Sequence, residues 1–391
     1  MQQIESNRPV IVVQYKRLEF LPPIMALLLV LKELGRNVYF IGVHSDAGEA
    51  FLKRHGIPYV FLPYKYSLYI NNTLVSKITH RIERAVRFYP CRQALVRAVK
   101  AIAKCKGSPT IWFADVQSAA LMGDACREYT NIVTIFELAE KNGSGWWGFN
   151  FPQFMQSATI VVPEYNRAHL IREHYQLKRL PCVVANKPAG HPRKTDVPLP
   201  ENARNVFEQI GNRPIFLYQG VWTEDRAAVG MILETIARER PGYCVLTLPA
   251  NDAVKKLLAP YPNAFTLPYI APPNHLAVTA RATVGIAVYN AAGRTDLQRL
   301  NAVYCAPNKI YEYAGFGIPT LGNDIPGLRY TIEMGKAGIC CKIAKESILK
   351  AADSLVENID SYRANANRFF DETNLNEQIS TVLKCAEGNA E

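Results

Sequence analysis

The run Val10-Ile11-Val12-Val13 is apolar and β-branched without a break. A helical stretch from Ile24 to Leu34 follows it, and Val38 to Val43 then repeats the strand pattern. This alternation constrains the fold more than any other property of the chain. A strand with one wet face alternates apolar and polar residues, whereas an unbroken apolar run bounded by helices belongs to a strand covered on both faces. Strand, helix, strand at this spacing is a βαβ unit, and its crossover requires a parallel sheet. The alternation continues through Tyr59 to Leu62, Thr110 to Ala114, Ile132 to Ile135, Thr159 to Val162 and Cys182 to Ala185. After a stretch rich in Pro, Lys, Arg and Asn it restarts at Ile215 to Gln219, Cys244 to Leu248, Phe265 to Leu267, Val284 to Val288 and Ile318 to Leu321. A chain of 391 residues has room for two such domains, each with its own core.

Composition excludes several classes. With 49% hydrophobic and 20% charged residues the chain reads as globular, and no apolar stretch is long enough to span a bilayer. The polar start, Met1 to Asn7, lacks the regions of a signal peptide, so a cytoplasmic protein is expected. Nine cysteines form no C-x-x-C pair and no His/Cys ligand cluster, and their odd number argues against a complete disulfide framework. No metal site is expected. The formal charge of +11 asks for an anionic partner.

In a parallel α/β sheet ligands bind outside the carboxyl ends of the strands. Lys16 and Arg17 follow the first strand there, Asp115 ends the strand from Thr110, and Glu137 follows the strand from Ile132. Either acid suits a general base or a cap on the next helix. Lys141 to Phe151, with Trp146 and Trp147, reads as a loop on the same side whose indoles either stack on a sugar or pack in a core. In the second half, Gly220 lets backbone approach a diphosphate, and Arg226 can pair with one bidentately.

Tyr304 to Thr320 is the most informative stretch. Pro307/Asn308 open a short helix that Gly315 and Gly317 close, with Lys309 on its first turn and Glu312 one turn on. The free N–H groups from Asn308 onward and the Lys309 ammonium suit a pyrophosphate, and the Glu312 carboxylate can accept from both hydroxyls of a ribose. The spacing alone fits a solvated amphipathic helix equally well. The run Lys309, Glu312, Gly317-Ile318-Pro319 resembles the nucleotide-sugar signature of family-4-like glycosyltransferases of bacterial polysaccharide synthesis. The resemblance implies a GT-B fold, in which two Rossmann-like doubly wound α/β domains face each other across a cleft. It covers the chain in element order, with further matches at Asn186/Pro188 and at Gly220/Arg226. It implies that Tyr269, in Pro268-Tyr269-Ile270, holds the base, and that Asp115 or Glu137 deprotonates the acceptor if the transfer inverts. The sequence departs from the family where Phe136 stands for a His and Tyr304 for an earlier Glu.

From Lys77 to Lys106, nine cations face one acid, Glu83, beside an apolar stripe including Ile78, Ile82, Leu95 and Val99. This reads as a basic amphipathic helix pair facing anionic lipid headgroups, since no nucleic-acid-binding signature accompanies the charge.

The expected organisation is an acceptor-side domain over 1–188, a linker over 189–213, a nucleotide-sugar domain over 214–366, and a C-terminal helix over 367–391 packing back on the first domain. The expected activity moves a sugar, without a cofactor or metal, from a UDP- or GDP-sugar, UDP favoured, to a lipid-linked or saccharide acceptor. Residues 77–106 would hold the protein at the inner face of the cell membrane. The alternatives are a nucleotide-sugar epimerase or hydrolase on the same fold and a GT-B-like scaffold without catalysis.

Overall fold

The computed structural model describes residues 8–63, 74–138, 149–192, 198–220, 227–270, 274–289 and 295–388. They form two compact units, Met1–Ala185 with Leu375–Glu391, and Asn186–Asn374.

The first unit is built on a seven-stranded sheet of β1 (Val10–Gln14), β2 (Val38–Val43), β3 (Tyr59–Leu62), β4 (Thr110–Phe113), β5 (Thr130–Thr134), β6 (Thr159–Val162) and β7 (Cys182–Val183). The order is β3-β2-β1-β4-β5-β6-β7 and every pairing is parallel, with Val12 between Phe40 and Trp112. All five residues of β1 are buried, as its unbroken apolar run predicts. The chain leaves β1 toward β2 on one side and returns as β4 on the other, which makes a topological switch point.

The basic stretch differs from expectation. It is one 33-residue helix, Leu74–Lys106, with Pro90 inside it rather than a helix pair. Pro90 removes one backbone hydrogen bond, but Phe88, Cys91 and Leu95 on either side of it are buried, and their packing carries the helix through. Arg97, Lys100, Lys104 and Lys106 are exposed.

The helix Leu375–Ala386 packs against the helix Pro22–Glu33 and strands β5 to β7. It buries Leu375, Ile379, Val382 and Leu383. Gln378 accepts from the Ala185 backbone N–H at 2.9 Å. Beyond the helix, Arg36 grips both oxygens of Glu387 at 2.5 and 3.3 Å, and the Thr110 hydroxyl donates to the same carboxylate.

The second unit carries a six-stranded sheet of β8 (Ile215–Gln219), β9 (Cys244–Leu248), β10 (Ala264–Thr266), β11 (Val284–Ala287), β12 (Thr320–Asn323) and β13 (Gly338–Cys341). Its order, β10-β9-β8-β11-β12-β13, is again wholly parallel and switches between β8 and β11. Side chains of β8 alternate between two buried layers. Phe216 and Tyr218 pack with Val229 to Ala237 and Ile348 to Leu355, while Ile215 and Leu217 pack with Ala203, Ile210 and Tyr313. Ala203 and Ile210 belong to the helix Glu201–Ile210, so part of the 189–213 stretch expected as linker is core of this unit. The helix Ile359–Glu372 also stays in this unit, packed on the helix Asn308–Gly315 with Tyr311 stacked on Phe369. Lys187 donates to the Phe370 and Thr373 carbonyls at its end.

Candidate nucleotide-sugar site

The second unit brings the central sequence candidates together beside its switch point. Pro307 leads into the helix Asn308–Gly315, whose first N–H groups have no partner within the helix. The approach to this helix is fixed from two sides. Asn186 donates its amide to the Ala306 carbonyl at 2.7 Å. Gly327 lies so close that a Cβ there would stand 2.7 Å from the Cys305 backbone nitrogen and 2.8 Å from its carbonyl oxygen.

Lys309 holds its ammonium 4.8 Å from the centre of the Tyr218 ring and 5.6 Å from that of Tyr289. Both rings present their π-electrons to the cation. The Tyr289 backbone is clasped by Asn323, which accepts from its N–H and donates to its carbonyl, both at 2.9 Å, and so ties the ends of β11 and β12.

Glu312 turns toward the end of β8. Its Oε2 accepts from Gln219 Nε2 at 2.5 Å and lies 3.7 Å from His275 Nε2. The Gln219 Oε1 accepts from the Thr279 hydroxyl at 2.7 Å. Next to Glu312, the fully buried Tyr313 accepts from the Gln219 N–H and donates to the Leu217 carbonyl. Burial pushes its phenol well above its ordinary value, so it stays a neutral donor. Gly220 follows Gln219 with φ of 150°, a conformation that favours glycine, and its N–H donates to the Leu248 carbonyl. Tyr269 stands beyond β10, 70% exposed, where an aromatic of that size is available for stacking. Arg226 lies outside the described residues.

Gln219, His275 and Thr279 were not singled out from the sequence. The available signals were a polar residue closing the apolar strand Ile215–Gln219 and a His and Thr one helical turn apart.

In the first unit, Asp115 and Glu137 lie beyond the carboxyl ends of the paired strands β4 and β5. Asp115 caps the helix Val116–Met122, its Oδ1 accepting from the Ser118 N–H at 2.8 Å and hydroxyl at 2.6 Å. Its Oδ2 faces Lys16 at 3.3 Å. Glu137 is 75% exposed, 3.9 Å from the buried guanidinium of Arg167, which also donates to the Phe136 carbonyl. Trp146 and Trp147 fall outside the described residues. Among the described residues no group of three His, Cys, Asp or Glu side chains is placed to hold a metal ion.

No protein-family model matches the chain, and no curated protein sequence matches it. Solved structures do. Alr3699/HepE of Anabaena, solved with UDP and glucose, superposes with a TM-score of 0.65 at 10% identity over 98% of this chain and 99% of that one. A glycosyltransferase from Rickettsia africae gives 0.63 at 14% identity over 98% of both chains. The UDP-GlcNAc 2-epimerase of Neisseria meningitidis, solved with UDP-GlcNAc, gives 0.60 at 10% identity over 98% of this chain and 100% of that one. The chain has the two-domain GT-B fold.

Proposed function

We propose that this GT-B chain is a glycosyltransferase. It takes a sugar from a nucleotide diphosphate donor, UDP favoured over GDP, and passes it to a lipid-linked or saccharide acceptor in cell-surface polysaccharide synthesis. The observation that carries the reading is the juxtaposition of Lys309, the N-terminal end of the helix Asn308–Gly315 and the Glu312 carboxylate beside the β8/β11 switch point. In this reading the helix start and Lys309 take the diphosphate charge, with Arg226 and the Gly220 backbone as further contacts. Glu312 accepts from the ribose, and Tyr269 stacks on the base. The charge of the leaving diphosphate is met by these groups without a metal. Deprotonation of the acceptor falls to Asp115 or Glu137. Glu137 is the more accessible, because both Asp115 oxygens already face partners.

The likeness to UDP-GlcNAc 2-epimerases supports a second reading, conversion or hydrolysis of the nucleotide sugar itself. One experiment addresses both. Thermal shifts with UDP-sugars and GDP-sugars identify the donor, because a ligand bound only by the native state raises its stability by mass action. Glu312→Ala is expected to weaken nucleotide binding about tenfold to a hundredfold, the loss of one or two charge-assisted hydrogen bonds. Unchanged binding of UDP and GDP would remove Glu312 from the site. NMR of the donor then separates the chemistries, since epimerisation or hydrolysis without an acceptor favours the second reading.

The exposed cations of the helix Leu74–Lys106 support a location at an anionic membrane surface, on the cytoplasmic side. No helix among the described residues is long and apolar enough to cross a membrane.

A further inference from the structure

A carboxylate only accepts hydrogen bonds, and at Glu312 that restriction propagates through its neighbours. It turns the Gln219 amide so that Nε2 faces Glu312 Oε2, 2.5 Å away. The Gln219 Oε1 is thereby aimed at Thr279, whose hydroxyl donates to it at 2.7 Å. Gln219 is 8% exposed and Thr279 fully buried, which removes water as an easy substitute for either partner. A flipped amide would set its NH2 against the Thr279 hydroxyl and its oxygen against the carboxylate, two acceptors facing each other in a buried place. His275 stands one helical turn before Thr279, with Nε2 3.7 Å from the same Glu312 oxygen. Gln219 and His275 thus bear on Oε2, with Thr279 behind Gln219, and among the described residues no hydrogen bond or ion pair reaches Oε1.

We propose that Thr279, Gln219 and His275 are positioning residues that hold Glu312 by one oxygen and present the other to the vicinal hydroxyls of a ribose. The inference rests on the reading of Glu312 as the ribose contact. It adds that the chain's preference for a ribonucleotide over its 2′-deoxy counterpart is set behind the site, by residues that never touch the ligand. The geometry favours this over a purely structural network. A network serving stability alone has no need to gather its contacts on one oxygen of a one-fifth-exposed carboxylate.

The test is isothermal titration of the full chain with UDP, GDP and their 2′-deoxy forms. Gln219→Met and Thr279→Val are expected to reduce the ribo-over-deoxy preference about tenfold, with 2′-deoxy affinity held within about twofold, and Thr279→Ser to keep the wild-type preference. His275→Asn, at a partly exposed position, gives a second reading should the more buried variants melt early. A wild-type preference in folded variants, alongside a preference lost in Glu312→Ala, overturns the positioning role and leaves the nucleotide reading standing. Equal losses for ribo and deoxy ligands mark a general disturbance of the unit and also overturn it. Wild-type protein that binds neither nucleotide, or whose preference is indifferent to Glu312→Ala, overturns the reading of the site and this inference with it.

Discussion

At Gly285, on β11, an added Cβ would stand 2.2 to 2.5 Å from three atoms of the Tyr313 ring. The ring occupies the space a side chain would need, and the same ring bonds Leu217 and Gln219 through its hydroxyl. The residue before Tyr313 is Glu312, so this close approach sets how deeply the helix Asn308–Gly315 sits on the sheet. Gly285→Ala is expected to cost about 1–3 kcal/mol, the usual range for overpacking a tight core. It should also weaken UDP or GDP binding, because the helix must rise to admit the methyl. Chemical denaturation and titration of the same sample check both effects, and a stable variant with intact binding would show that the ring can yield locally. Gly285 gave no signal in the sequence beyond being a glycine in an apolar strand. Lys309 and Glu312 were legible because three residues of helix put both on neighbouring turns, a relation the local chain alone fixes.

At the scale of elements, the helices Ala227–Glu239 and Lys345–Glu357 lie side by side under the second sheet and are fastened where Arg240 meets Asp353. The guanidinium donates to both carboxylate oxygens at 2.8 and 2.6 Å, and the Tyr243 hydroxyl adds a third bond at 3.1 Å. The Arg240 hydrogen bonds hold the Asp353 carboxyl below its ordinary value; burial, the next-largest effect, opposes them, and the Tyr243 hydrogen bond adds to the lowering. A carboxylate with a depressed folded-state pKa gives stability that is fully present above its unfolded pKa and is lost as pH falls through the folded one. Wild type should therefore exceed Asp353→Asn in unfolding free energy at neutral pH, with the gap closing below the ordinary carboxylate range. Urea denaturation of both proteins across that range measures it. A gap independent of pH would assign the effect to packing.

At the scale of the whole molecule, the two sheets were legible because unbroken apolar runs such as Val10–Val13 and Ile215–Tyr218 admit little besides strands covered on both faces. The basic stretch was misread as two helices because Pro90 and its flanking residues carry opposite messages. Local chemistry favours a break there, and burial of Phe88, Cys91 and Leu95 overrides it. The hydrogen bonds behind Glu312 were illegible for another reason. Gln219 and Glu312 are 93 residues apart and Gln219 and Thr279 are 60 apart, so only the strand order makes them neighbours. The charge of the long helix yields a prediction on the same scale. Sedimentation with vesicles rich in anionic lipid should carry the protein down at low salt and fail at high salt. Replacing Arg97, Lys100 and Lys104 by Glu should abolish it, and retention by that variant would place the attraction elsewhere.

The discontinuity of the first unit bears on how the chain is made. Domains emerging from a ribosome generally fold in the order of synthesis. Here the second unit, contiguous from Asn186 to Asn374, has all its residues before the first has received Ile379, Val382 and Leu383, or the Glu387 that meets Arg36. Until then the apolar surface that receives Ile379, Val382 and Leu383 has no cover from the helix that packs on it in the folded protein.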